Sequence, residues 1–208
     1  MSSHRLIVNL IIDNSANMVG VKHDLLVSEL NRFIRNLQGY LKKQSLEISI
    51  VSFNDFEPEC IMNFSQIPND IHVESNKFPL LGKALMYSLK LVEQRLTDLD
   101  KQGVQYHKPW IVLFSNGISY DTSIQAYQHY NQLGVTKQPV IFPFLLSSEM
   151  IDENTKAFEQ HKLFITIRDN LFHKMFDWLI NLIEHRIHTD VNQSIRLNKS
   201  DMLEWIKQ

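Results

Sequence analysis

The strongest constraint on the fold is an apolar run near the start of the chain that ends in a polar loop. Residues 6–13 read LIVNLIID, and NSANMVG follows at 14–20. A continuous apolar run of this length is typical of a strand buried on both faces. In open α/β sheets, ligands bind at the carboxyl ends of such strands. We therefore expect the oxygen-bearing side chains of Asp13, Ser15 and Asn17 to converge there as a ligand-site scaffold.

Apolar runs and amphipathic stretches alternate along the rest of the chain. Apolar positions three or four residues apart predict helices over 23–43, 80–96 and 170–188. A weaker helix is predicted over 122–133 and a short one over 148–160. Further strands are predicted over 46–53, 60–64, 109–114, 139–146 and 163–167. The strand at 60–64 closely follows the one at 46–53, which predicts a hairpin with an antiparallel edge strand. The expected fold class is α/β: a doubly wound, mostly parallel six-stranded sheet with helices on both faces.

The length of 208 residues, 44% of them hydrophobic, suits one α/β domain with at most a small appendage. We place the domain at 1–188 and a polar linker with a short terminal helix at 189–208. Ser200 is the predicted N-cap of that helix, over 201–207. The helix carries a cluster of apolar residues that either folds back onto the domain or docks into the groove of a partner or a second copy.

Charge and cysteine content exclude several classes of protein. The formal net charge is −2 and no basic stripe with interleaved aromatic residues occurs, so nucleic acid is not an expected partner. No run approaches the roughly 18 apolar residues that a membrane span needs. Cys60 is the single cysteine, which excludes an internal disulfide, and no export signal is evident. We therefore expect a soluble cytoplasmic protein.

Four segments resemble the von Willebrand factor A (VWA) domain family in order and spacing. They are LIIDNSANMVG at 10–20, FPLLGKAL at 78–85, KPWIVLFSNGISYD at 108–121 and FHKMFDWLINLI at 172–183. The bacterial cytoplasmic group linked to tellurite resistance and stress operons is the most similar type. This resemblance implies a Rossmann-like fold and a non-enzymatic protein-binding function. It also implies a protein partner from the same operon, such as a kinase or a phosphatase.

VWA domains usually carry a metal-ion-dependent adhesion site, with Asp-x-Ser-x-Ser in the first loop, threonine in the second and aspartate in the third. Mg²⁺ prefers oxygen ligands. Asp13 and Ser15 match this pattern, whereas Asn17 replaces the second serine, Phe78 the threonine and Asn116 the aspartate. One carboxylate and a phenyl ring predict a degenerate metal site that serves for partner binding. Asp13 and Ser15 are its remaining candidate metal ligands, and no cofactor is expected.

Other interpretations stay open. The polar loop residues can satisfy backbone donors as Asx and ST turns, and Asn116-Gly117 is a turn dipeptide. Asp121 and Glu74 lie in neighbouring loops and are possible substitute ligands. A second function hypothesis keeps Mg²⁺, held by the first loop with the help of water. A third is a hydrolase on a doubly wound sheet, for which the sequence offers no nucleophile–base pair.

Overall fold

The computed structural model describes residues 4–18, 20–54, 57–64, 66, 71, 79–146, 165–168, 171–191, 193 and 199–206. Within them, the strands are β1 (Leu6–Asp13), β2 (Leu46–Phe53), β3 (Glu59–Met62), β4 (Trp110–Ser115), β5 (Val140–Leu145) and β6 (Ile165–Thr166). The α-helices are α1 (Val21–Lys42), α2 (Leu81–Lys101), α3 (Ile124–Gln132) and α4 (Phe172–Ile187). Two short 3-10 helices span Ala16–Met18 and Lys199–Met202.

The strands form one six-stranded sheet in the order β3-β2-β1-β4-β5-β6. All neighbouring strands are parallel except β2 and β3, which pair antiparallel at the edge. The predicted fold class and the antiparallel edge strand are therefore confirmed. The chain winds from β1 to one side of the sheet and then returns to β4 on the other side. The carboxyl ends of β1 and β4 therefore form the topological switch point, where such sheets bind ligands.

Alternation along β1 divides the apolar core between the two faces of the sheet. Leu6, Val8, Leu10 and Ile12 pack on the face covered by α1 and α4. Ile7 and Ile11 pack on the other face, with α2 and α3. Because both faces are covered, every residue of β1 is buried, as expected of a central parallel strand.

Pro143 lies inside β5, yet no ladder hydrogen bond to the described residues is lost there. The N–H groups of Val140 and Leu146 donate toward the β4 side, to the carbonyl oxygens of Pro109 and Ser115. Successive residues of a strand alternate in direction, so the nitrogen of Pro143 faces the β6 side. β6 pairs with β5 only further along the strand, beginning at Phe144. Proline is tolerated because none of the described residues of β6 pairs with this position.

The strand and helix bounds agree with the sequence predictions to within a few residues, but the prediction of a terminal helix was wrong. The segment is a 3-10 turn at Lys199–Met202 that includes Ser200, in place of a helix over 201–207 capped by it. Ile206, four residues after the end of this turn, forms an antiparallel bridge with Ile167 beside β6. The predicted helix at 148–160 lies outside the described residues. In the described part of the chain, no helix has both the length and the apolar character required to span a bilayer.

The end of the chain packs against the domain through Trp205. This side chain is 1% exposed and lies between the rings of Phe144 and Trp178, with centroid distances of 5.8 and 5.5 Å. The N–H of Arg168 donates to the carbonyl oxygen of Trp205 at 2.8 Å. Of the two alternatives for the tail, the structure therefore shows the one in which it folds back. The division of the chain at residue 188 stays a prediction.

His107 is a fully buried histidine next to the start of β4. Its ring lies edge-on to His4, with a centroid distance of 5.8 Å, and neither ring nitrogen has a hydrogen-bond partner in the described part of the chain. Burial lowers the pKa of His107 to about 4, with smaller contributions from the positive charges of Arg186 and His4, against an opposing effect of Asp190. The fold therefore holds this imidazole in its neutral form.

We predict that replacing Trp205 with alanine lowers the free energy of unfolding by about 3 kcal/mol, because it leaves a cavity between two aromatic rings. Urea denaturation followed by circular dichroism measures this loss. Leu203, in the same tail, is 47% exposed, and Leu203→Ala is the matched control. We expect it to cost less than about 0.5 kcal/mol. Equal losses in the two variants would contradict the anchoring role of Trp205.

We predict that His107 makes the protein less stable as the pH falls from about 6.5 to about 4. In this window the unfolded chain binds a proton that the folded chain does not. The contribution of neutral His107 to the free energy of unfolding is therefore complete above this pH window. It is lost as the pH falls through the window, by roughly 3 kcal/mol at most. Urea denaturation at several pH values should show a smaller pH slope for His107→Phe. An identical slope would rule out His107 as the titrating group.

Candidate functional site

The parallel register of β1 and β4 brings two polar residues together at the carboxyl edge of the sheet. Ile12 pairs with Phe114, so the next residues along, Asp13 and Ser115, lie side by side where both strands end. Both are fully buried. The loops that follow the two strands therefore begin around a single buried carboxylate.

The Asp13 carboxylate accepts hydrogen bonds from both of these loops. Its Oδ1 accepts from the backbone N–H of Ser15 at 3.0 Å. Its Oδ2 accepts from the backbone N–H of Asn116 and from the hydroxyl of Ser115, both at 3.2 Å. Burial raises the pKa of Asp13, and the hydrogen bonds, including one from the Ser15 side chain, offset only part of that rise. Asp13 thus ties the two loops together at the cost of burying a charge.

Asn116 and Gly117 form the turn that the sequence offered as an alternative to a metal site. The Oδ1 of Asn116 accepts from the N–H of Ile118 at 2.9 Å, which is an Asx turn. Gly117 has φ 87°, in the left-handed region that favours glycine, and its N–H donates to Ser115 Oγ at 3.1 Å. The amide nitrogen of Asn116 is buried without a hydrogen-bond partner among the described residues.

The loop after β4 also caps the amino end of α2. The two carboxylate oxygens of Asp121 accept from the N–H groups of Gly82 at 2.9 Å and Lys83 at 2.8 Å. Ser119 Oγ accepts from the N–H of Leu81 at 3.2 Å and donates to Asp121 at 2.7 Å. These bonds satisfy the unpaired donors of the first helical turn. The structure therefore gives Asp121 a capping role, whereas Glu74 lies outside the described residues.

The structure brings together three of the five predicted site residues, namely Asp13, Ser15 and Asn116. The side chain of Asn17 and the whole of Phe78 lie outside the described residues. Sequence reasoning did not include Ser115 in the site. Its position as a hydroxyl residue at the carboxyl end of a buried strand is the signal that would have identified it.

Mg²⁺ prefers oxygen ligands, and among the described residues of this site Asp13 is the carboxylate available to supply them. Both oxygens of Asp13 already accept hydrogen bonds, and the side-chain Oδ1 of Asn116 accepts one from the backbone N–H of Ile118. Asn116 therefore presents an amide donor, which repels a cation. Among the described residues, no group of three or more His, Cys, Asp or Glu side chains is placed to hold a metal ion. The arrangement is suited to holding the Asp13 carboxylate through hydrogen bonds.

Comparison with known proteins identifies the fold. No family model and no curated protein matches the chain. Among solved structures, the N-terminal domain of TFIIH p34 is similar, with a TM-score of 0.58 and 12% identity, over 86% of this chain and 98% of that chain. The chain has a VWA-like α/β fold. The vWF domain of the type V pili tip protein Mfa5 from Porphyromonas gingivalis also matches, with a TM-score of 0.40 and 16% identity, over 56% of this chain and 39% of that chain.

The close approach of α2 to the loop after β4 in this VWA-like domain can be tested at Gly82. A Cβ atom added there would lie 2.2 Å from the carbonyl oxygen of Thr122. We predict that Gly82→Ala lowers the free energy of unfolding by about 1 to 3 kcal/mol, although alanine favours helices.

Gly39 is the matched control because it also lies within a helix but has open space around its Cβ position. We expect Gly39→Ala to raise the free energy of unfolding by up to about 1 kcal/mol. Chemical denaturation of the two variants measures both effects. The same sign of change at both positions would contradict the tight docking of α2 against this loop.

Proposed function

We propose that this VWA-like domain is a non-enzymatic module that binds a protein partner at the carboxyl edge of its sheet. The surface consists of the loops after β1 and β4, and we include the predicted loop at 67–78. VWA-type domains mediate protein interactions, which supports a binding role at a coarse level. The topological switch point, which lies between β1 and β4 here, is also the place where open α/β sheets bind their ligands.

The observation that carries the proposal is a pair of exposed apolar side chains directly after the site loop. Tyr120 is 60% exposed and Ile124 is 51% exposed. The backbone N–H of Tyr120 donates to the carbonyl oxygen of Pro79 at 2.9 Å, and the neighbouring Asp121 is bound to α2. The loop that carries Tyr120 is therefore fixed in place, which lowers the entropy cost of binding. Exposed apolar side chains on a rigid loop are typical of interaction sites.

A cavity of about 260 Å³ beside α2 extends this surface. Met86 and Tyr87 of α2 form one wall, and Thr122 and Gln125 of the loop after β4 and of α3 form another. Tyr87 is 37% exposed, so the apolar surface continues from the loop onto the helix. A partner side chain inserted here would contact the same segment that carries Tyr120 and Ile124.

Recognition in this proposal does not need a metal or a catalytic group. The metal site is degenerate, with Asp13 retained to organise the loops, so partner binding depends on shape and apolar contact. The hydroxyl of Ser115 donates to Asp13, but both residues are fully buried, so this pair is not accessible to a substrate. Mg²⁺-dependent adhesion is the second candidate, and it differs by requiring a divalent cation for binding.

The nature of the partner follows from the resemblance of the sequence motifs to one type of VWA domain. We propose a bacterial stress-response or conflict system of the tellurite-resistance type, and a partner encoded in the same operon, such as a kinase or a phosphatase. Such a partner places the protein in the cytoplasm. The fold similarity to the TFIIH p34 domain, at 12% identity, extends to the architecture alone.

The test is an affinity capture from lysate of the source cells with the tagged full chain, quantified by mass spectrometry. We expect a specific partner whose recovery is unchanged by EDTA. Ile124→Asp should reduce that recovery at least about tenfold, because it places a charge within an apolar contact. Val135→Asp is the matched control. Val135 is 79% exposed, but it follows α3 at the amino edge of the sheet.

Two outcomes would contradict the proposal. Loss of the partner in EDTA would favour the Mg²⁺-dependent alternative. Equal losses in Ile124→Asp and Val135→Asp would show that the carboxyl edge is not the contact surface. Circular dichroism melting curves of both variants should match that of the unmodified protein, because both side chains are exposed.

A further inference from the structure

A second cavity, of about 170 Å³, opens at the opposite edge of the sheet, where β1 and β2 begin. Its wall includes residues from the carboxyl end of α1, from the position just before β1, from the start of β2 and from the second half of α2. Its polar lining consists of Arg5, Lys42, Gln44, Glu47, Gln66 and Arg95. The proposed partner surface involves none of these residues.

Glu47 holds two guanidinium groups in this cavity in fixed positions. Its side chain is only 5% exposed. Its Oε1 accepts from Arg5 Nη1 at 2.6 Å and from Arg95 Nη2 at 2.8 Å, and its Oε2 accepts from Arg95 Nε at 2.6 Å. Both arginine side chains are mostly buried, so little rotamer freedom remains in them. The network therefore presents preorganised guanidinium groups to the cavity.

The acceptor atoms of the polar lining side chains all take part in internal hydrogen bonds. Both oxygens of Glu47 bind the arginines, and Gln44 Oε1 accepts from Arg5 Nη2 at 3.0 Å. Gln66 Oε1 accepts from the N–H of Asn63 at 2.7 Å.

The polar side-chain atoms that remain unused in the cavity, within the part of the chain that the structure describes, are all donors. Three of these donors are Arg95 Nη1, Lys42 Nζ and the amide nitrogen of Gln66. The lining therefore offers unused donors, while its own acceptor atoms are already hydrogen-bonded. Such a lining matches a ligand that carries acceptors only.

The charge balance of the cavity selects among such ligands. Arg5, Arg95 and Lys42 contribute three positive charges against the single negative charge of Glu47. The formal excess is therefore +2, although the whole chain has a net charge of −2. A phosphoryl group carries about −1.5 to −2 charges and only acceptor oxygens when it is dianionic, whereas a single carboxylate carries −1. Guanidinium and ammonium groups together are the usual ligands of phosphate.

We propose that this cavity is a phosphoryl-binding site in which Lys42, Arg95 and Gln66 donate to the phosphate oxygens and Glu47 positions the arginine. The phosphoryl group is supplied either by a free phosphate compound or by a phosphorylated side chain of a protein. The site lies at the amino edge of the sheet, so it is independent of the partner surface around Ile124.

The test is isothermal titration calorimetry of the full chain at low ionic strength, with inorganic phosphate and with a short phosphoserine peptide. The unphosphorylated peptide and sodium chloride serve as ligand controls. Lys42→Glu should weaken binding at least about tenfold, because it replaces a donor cation with an anion. Lys43→Glu is the matched control, since Lys43 is the next residue at the same helix end but does not line the cavity.

Gln66→Glu provides a second variant that leaves the Glu47 network intact. It keeps the acceptor for the N–H of Asn63 but removes a donor from the cavity, and it should also weaken binding. Binding of the phosphopeptide about tenfold tighter than phosphate would identify a phosphoprotein ligand. Similar affinities would identify a free phosphate compound.

The absence of binding by both probes would overturn the proposal. Equal weakening by Lys42→Glu and Lys43→Glu would also overturn it, because only general charge would then matter. Ile124→Asp should bind phosphate like the unmodified protein. Failure of the partner surface and failure of this site are therefore distinguishable.

Discussion

The burial of one carboxylate, Asp13, determines the architecture of the carboxyl edge. Burial raises the pKa of Asp13 because it disfavours the charged form more than the surrounding hydrogen bonds favour it. The protonated form is therefore the one that folding favours, so this contribution to stability is present below about pH 3.8 and is lost as the pH rises through the folded-state pKa. At neutral pH the loops must supply donors to limit that cost. Ser15, Ser115 and Asn116 do so, which fixes both loops relative to the sheet.

The fold was predictable because its signals are local and periodic. β1 is a continuous apolar run, and the helices that cover it have apolar positions at helical spacing. The convergence of Asp13 and Asn116 was also predictable, since parallel strands end at a common edge. The cap of α2 was not. Pro79 and Leu80 precede that helix and have no side-chain acceptor that could cap it. Ser119 and Asp121 supply the cap instead, from a loop almost 40 residues away.

The end of the chain shows the same limit of local reasoning. The apolar cluster around Trp205 indicated that the tail docks somewhere, but helical spacing could not show where. In the structure, the slot between Phe144 and Trp178 accepts the indole ring. Directly after Trp205, Ile206 pairs with Ile167 beside β6. Tertiary packing thus overrode the local preference for a helix, as often happens in short segments.

The two edges of the sheet differ in how their polar groups are balanced, and this difference separates their roles. At the carboxyl edge, donors turn inward to Asp13 and Asp121, so the outward surface presents apolar side chains such as Ile124. At the amino edge, Glu47 cannot neutralise all the cations around it, so the residues that line the cavity keep an excess of positive charge. An inward-directed polar network favours apolar contact with a protein, whereas an excess of fixed donors favours an anion. A single rigid sheet can therefore carry two independent binding surfaces, because each depends on its own network.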